Sequence, residues 1–108
     1  MTDEPPERFV SPSELRRMFN EGDFWRRAEA GEFEKEILRD GHPSAPRAPE
    51  PICTRSMIIA YVDSGKEMVA VVHQYLRTDG TLGGSGRPDP KKLFINGVHY
   101  DLRLEAGD

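Results

Sequence analysis

The hydrophobic pattern changes period once along the chain, near Pro51. Before that point apolar residues recur at helical spacing. Leu15, Met18 and Phe19 form an i, i+3, i+4 set behind "VSPSEL", where Ser11 can cap, Pro12 suits the first helical position and Glu14 completes a capping box. Val10 and Leu15 occupy the two positions of a hydrophobic staple. Gly22 reads as the stop, and Asp23 as the cap of a second helix whose stripe would be Trp25, Ala28, Phe33 and Ile37, with Gly31 tolerated or breaking it. Two helices are therefore expected within residues 11–40.

After Pro51 the period is two. "SMIIAYVDSGKEMVAVVHQYLR" predicts two antiparallel strands joined at Asp63–Lys66, with Val62 facing Glu67, Ile58 facing Val71 and Ser56 facing His73. Both faces of this pair are apolar, Ile58, Ala60, Val69 and Val71 on one and Met57, Ile59, Ala70 and Val72 on the other. That pattern marks central strands with cover on part of both faces. "KKLFINGVHYDLRL" carries Asn96–Gly97, the pair preferred in a type I′ hairpin, with Ile95 against Val98 and Lys92 against Asp101. Asp89–Pro90 could instead open a single helical turn through Phe94. The expected fold is α+β, two N-terminal helices packed on an antiparallel sheet of three or four strands. Trp25, Phe33, Ile58, Val71 and Ile95 should share one core.

Between the two halves, "GHPSAPRAPEP" has four prolines in eleven residues and reads as an extended connector over 41–51. Its PxxP spacings, Pro43–Pro46 and Pro46–Pro49, also suit an aromatic groove. The acidic, proline-bearing start (1–10) and the last residues (105–108) read as tails around a single domain over 11–104, with the sheet in 52–104. No secretory signal or membrane span is predicted, so the expected setting is cytoplasmic.

Charge narrows the partners. The chain carries 15 Lys and Arg against 19 Asp and Glu, a net charge of −4, so nothing global draws it to nucleic acid or an acidic membrane. The bases of residues 51–100 nonetheless gather around one glycine-rich stretch, "RTDGTLGGSGRPDPKK". It lacks the P-loop and dinucleotide fingerprints, and Pro88 after Arg87 opposes a helix there. A looser nest of backbone amides beside cations remains open, built from Arg77, Gly83, Gly84, Gly86, Arg87, Lys91 and Lys92. The expected function is a non-enzymatic binding module whose basic loop contacts an acidic protein or a phosphate-bearing ligand. The doubly apolar sheet leaves a homodimer open.

A second constellation is chemical. His73, Tyr75 and Arg77 alternate on one strand and share a face. A histidine that moves protons near neutral pH beside an arginine that stabilises a pentacoordinate phosphate could cleave RNA without metal. Two helices followed by an antiparallel sheet resemble the RelE-like ribonuclease toxins in element order, and that resemblance implies RNA as substrate. The stretches "DFWRRAEAGEFEKEILRDG" and "VAVVHQYLRTDGTLGGSGRPDPKKL" resemble small uncharacterised bacterial proteins, which implies a bacterial origin and no activity. His42, Cys53, His73 and His99 are scattered without ligand spacing, so neither a metal nor a cofactor is expected. The single cysteine excludes an internal disulfide.

Overall fold

The computed structural model describes residues 6–41, 53–84 and 86–102. The proline-rich connector falls almost wholly outside them. The elements are β1 (Glu7–Val10), α1 (Pro12–Glu21), α2 (Phe24–Glu29), β2 (Glu34–Gly41), β3 (Arg55–Val62), β4 (Met68–Leu76), β5 (Asp89–Ile95) and β6 (Val98–Leu102). They form one six-stranded mixed sheet in the order β1-β6-β5-β4-β3-β2, with β1 parallel to β6 and every other pair antiparallel.

This corrects the expected fold class. The sheet has six strands rather than three or four, it is mixed rather than antiparallel, and the helices are short. A strand also precedes the helices, so the element order behind the toxin resemblance is changed. Two segments account for the difference. Glu7–Val10, read as tail, pairs with His99–Leu102, and the His99 amide donates to Pro6 O at 2.8 Å. Residues 34–41, read as the end of the second helix, form an edge strand.

The second helix stops early for a local reason. Gly31 sits at φ +86°, a left-handed conformation that ends the helix. The strand beyond it, β2, is mostly polar, and all eight of its residues are exposed, Ile37 at 59%. Charged side chains on a sheet edge suit solvent and discourage further pairing. Asp23 stands at the head of α2 in a left-handed conformation (φ 54°) without capping it, its carboxylate instead 3.4 Å from Arg26.

α1 behaves as its sequence demands. Ser11 Oγ accepts from the Glu14 amide at 3.2 Å, and Leu15 and Phe19 are buried beneath it. Glu14 does not reach back to close the box, because its carboxylate pairs with Arg17 one turn on. That pairing holds the Glu14 carboxyl below the usual carboxylate range.

Both helices lie on one face of the sheet. Leu15, Phe19, Phe24, Ala28 and Phe33 meet Met57, Ile59, Tyr61, Ala70, Val72 and Leu93 in the main core. Four aromatic rings close a circuit there. Phe19 stacks on Phe24 (5.7 Å), Phe24 on Phe33 (6.2 Å) and Phe33 on Tyr61 (6.1 Å), and Tyr61 lies 6.5 Å from Phe19. Burial, then the carboxylate of Glu29, pushes the Tyr61 phenol up to about 12. Trp25 and Ile95 pack at the margin of this core. Ile58 and Val71, expected in it, belong with Ala60 and Val62 to a second cluster on the opposite face.

The hairpin registers obey the turns. Asn96 (φ 50°) and Gly97 (φ 77°) make the type I′ turn, with Ile95 opposite Val98 and Lys92 opposite Asp101, so the helical alternative is excluded. The β3–β4 register is shifted from expectation. Ile58 faces His73 and Ser56 faces Tyr75, because Lys66 adopts φ 68° in a wider turn and a bulge leaves Val69 without a partner. The shift is two residues, an even number, so the alternation of faces survives it.

Candidate functional site

β4 and β5 pair only as far as His73 opposite Asp89, and beyond that point the chains separate. The glycine-rich stretch fills the gap. Its first half folds back on β4: Leu76 bridges Leu82, the Arg77 amide donates to Thr81 O (2.9 Å), and Asp79 Oδ1 accepts from the Thr81 amide and hydroxyl. The second half crosses toward α1. Gly83 is buried and its amide donates to Tyr75 O at 2.8 Å, while the Gly86 amide donates to Gly83 O at 3.0 Å. One amide is spent on β4 and the other inside the loop, so the expected nest of backbone donors is not formed at them. Gly84 and Gly86, at φ 60° and 83°, supply the left-handed turns that bring the chain across.

The result is a cleft of about 590 Å³ between α1, the ends of β4 and β5, and the loop. α1 contributes Arg16, Phe19 and Asn20, an i, i+3, i+4 face. β4 contributes His73, Gln74 and Tyr75, the loop Gly83, Gly84, Arg87 and Pro88, and β5 Asp89, Pro90 and Lys91. Pro90 is admitted to β5 by a bulge between the pairs Val71–Lys92 and Val72–Pro90, and the residue left over in that bulge is Lys91. Arg87 is held in place from α1 and α2, its Nη1 3.5 Å from Asn20 Oδ1 and its guanidinium 5.4 Å from the centre of the Trp25 ring. Beyond Arg87 a smaller depression of about 400 Å³ continues over Asp23, Trp25, Arg26 and Glu29.

Among the described residues lining the cleft, Arg16, Arg87 and Lys91 stand against the single carboxylate of Asp89. That carboxylate lies 3.8 Å from Arg16 and 3.4 Å from Lys91. Three cations to one carboxylate among the described lining residues thus stand in a chain whose net charge is −4.

His73 is half-buried at the same place. Its Nε2 is 2.8 Å from Ser56 Oγ, a diagonal contact across the β3–β4 pair, and Tyr75 meets its ring edge-on at 4.8 Å. Burial first, and Lys91 second, hold the imidazole below the ordinary histidine range, with Asp89 pulling the other way. The ring is therefore neutral at neutral pH.

Of the residues picked from sequence, the cleft gathers Gly83, Gly84, Arg87 and Lys91, and with them His73 and Tyr75 of the catalytic alternative. Arg77 and Gly86 are not among its lining residues. Lys92 points away from it, 3.9 Å from Asp101. Arg16 was missed, although its place three residues before Phe19 puts it on the edge of the apolar stripe of α1.

A different cluster had no counterpart in the sequence reading. Glu7, His99 and Asp101 come together because β1 lies parallel to β6. No family model, no curated protein and no solved structure matches this chain. No helix among the described residues is long and apolar enough to cross a membrane.

Proposed function

We propose that the protein is a binding module whose cleft takes an anionic group, a phosphate-bearing ligand or an acidic segment of a partner protein. One observation carries the reading. Three cations from three separate elements, Arg16 of α1, Arg87 of the loop and Lys91 of β5, converge on one concavity in which Asp89 is the single carboxylate among the described residues. Cations that converge in a cleft with low-dielectric walls focus their field on what enters it, even in an acidic protein. Arg16 and Arg87 offer forked donors that match phosphate or carboxylate oxygens, while Lys91 acts as a point charge. Phe19 and the two prolines supply an apolar floor for the uncharged part of the ligand.

Titration with pyrophosphate and with a poly-glutamate peptide, followed by backbone amide shifts, tests this. Movement confined to residues 16–20, 73–75 and 83–91, weakening as salt is raised, is the expected result. Movement elsewhere, or none with either ligand, refutes it.

A second reading, metal-independent cleavage of RNA, is favoured by the Ser56–His73 hydrogen bond beside those cations. A neutral imidazole can take a proton from a ribose hydroxyl while Arg87 and Lys91 stabilise the phosphorane. RNA cleavage in EDTA that disappears in His73→Ala would establish it. Intact RNA at high enzyme concentration would leave binding alone.

A further inference from the structure

Where β1 forms one edge of the sheet beside β6, a histidine sits between two carboxylates. His99 Nδ1 lies 3.9 Å from Glu7 Oε1, and its Nε2 lies 3.9 Å from Asp101 Oδ2. One donor atom from each of the three residues falls within 4.8 Å of the other two. The imidazole is fixed by stacking on Phe94, 4.3 Å away and 17° from parallel. Its Nε2 is buried and has no hydrogen-bond partner among the described residues. A buried ring nitrogen without a partner is destabilising. A ring nitrogen left without a partner beside carboxylates is one that a metal ion would satisfy.

We infer that Glu7, His99 and Asp101 form a site for a divalent transition ion such as Zn²⁺, bound through His99 Nε2 and one oxygen from each carboxylate. The donor chemistry fits: imidazole and carboxylate oxygens are both zinc ligands, and three protein ligands leave a position for water. Tetrahedral zinc with bonds near 2.0–2.1 Å sets two donors ~3.3 Å apart, so the 3.9 Å gap between His99 Nε2 and Asp101 Oδ2 must close by ~0.6 Å. The Glu7 carboxylate, which lies nearer Nδ1, must swing toward the Nε2 side from a position where the three donor atoms are within 4.8 Å of one another. Glu7 is half-exposed and can do so. Asp101 is already oriented, because its Oδ1 accepts from the Leu102 amide at 2.8 Å and leaves Oδ2 toward the ring.

Lys92 is the competing cation, its Nζ 3.9 Å from the same Asp101 oxygen. It pairs with Asp101 and must be displaced when metal enters. The ion would tie β1 to β6, so the first strand would be secured by metal as well as by its ladder. Metal that binds only the folded chain stabilises it by mass action.

The test uses the full chain and Zn²⁺ alone, read by calorimetry and by the His99 ring resonances. Zn²⁺ is expected to move the His99 ring signals and raise the melting temperature. His99→Gln, Asp101→Asn and Glu7→Gln should each weaken binding at least about 10-fold, the lower limit for loss of even an outer-shell partner. Lys92→Gln should bind more tightly than wild type, an effect that a purely structural role for these residues would not produce. Unmoved His99 signals, or a Zn²⁺ response unchanged in His99→Gln, would overturn the assignment.

Discussion

Replacing Gly22 by alanine probes the aromatic circuit that anchors the helices to the sheet. The backbone there (φ −83°, ψ 0°) is open to any residue, so by conformational entropy alone alanine would stabilise by ~0.4–1 kcal/mol. Packing opposes it. A Cβ at Gly22 would stand 2.5 Å from Phe24 Cε2 and 2.8 Å from Cδ2, where ~3.5–4.0 Å is the comfortable separation between carbons. The ring must retreat by about 1 Å. It is buried, though, and stacked between Phe19 and Phe33, which leaves little space to retreat into. Overpacking of this kind costs ~1–3 kcal/mol, so net destabilisation by about 1–2 kcal/mol is expected in a urea melt. Phe24→Leu trims the ring edge, and Gly22→Ala should then cost less than it does alone, a coupling of about 1 kcal/mol. Gly31→Ala is the control. Nothing lies within 4 Å of its Cβ, but φ is +86°, so it should cost ~1–2 kcal/mol whether or not Phe24 is present. A stabilising Gly22→Ala, or one additive with Phe24→Leu, would refute the packing described for these rings.

Burial and charge set the other outcomes. Leu93→Ala removes a fully buried side chain from the centre of the core and should cost ~2–5 kcal/mol by the same melt. Ile37→Lys should shift stability by no more than ~0.5 kcal/mol, because Ile37 stands on an exposed edge; a loss of several kcal/mol would return it to a buried helical stripe. His73 binds protons less readily folded than unfolded, so it costs nothing above its unfolded pKa of about 6.5, and stability falls as pH drops through that value. His73→Gln should flatten that acid limb. In the folded protein Lys91→Gln should raise the His73 pKa and Asp89→Asn lower it, both read from its ring proton shifts.

What the sequence shows and hides has physical causes. Ser11, Pro12 and the Asn96–Gly97 pair act through neighbouring backbone, so α1 and the last hairpin could be read directly. The faces of β3 and β4 were legible too, since alternation survives an even slip in register. β2 was not legible. Glu34–Lys35–Glu36 favours helix in isolation, and only pairing with β3 makes it a strand, a case of tertiary context overriding propensity. β1 is only four residues long, and its partner lies some ninety residues away in sequence. For the same reason the Glu7–His99–Asp101 cluster had no local signature. Arg87 and Lys91, which line the cleft, stood out in the sequence through the crowding of bases around glycines. The bulge that places Lys91, and the crossing of α1 that brings Arg16, depend on contacts between distant segments.

The proposal of an anion-binding cleft is tested most directly by locating an anion in it. A crystal of the full chain soaked in tungstate, an electron-dense analogue of phosphate, should show its strongest anomalous peak between Arg16, Arg87 and Lys91. That peak should be lost in an Arg16→Gln, Arg87→Gln double variant that keeps its fold. A strongest peak at any other surface, or one that persists in the double variant, would contradict the account.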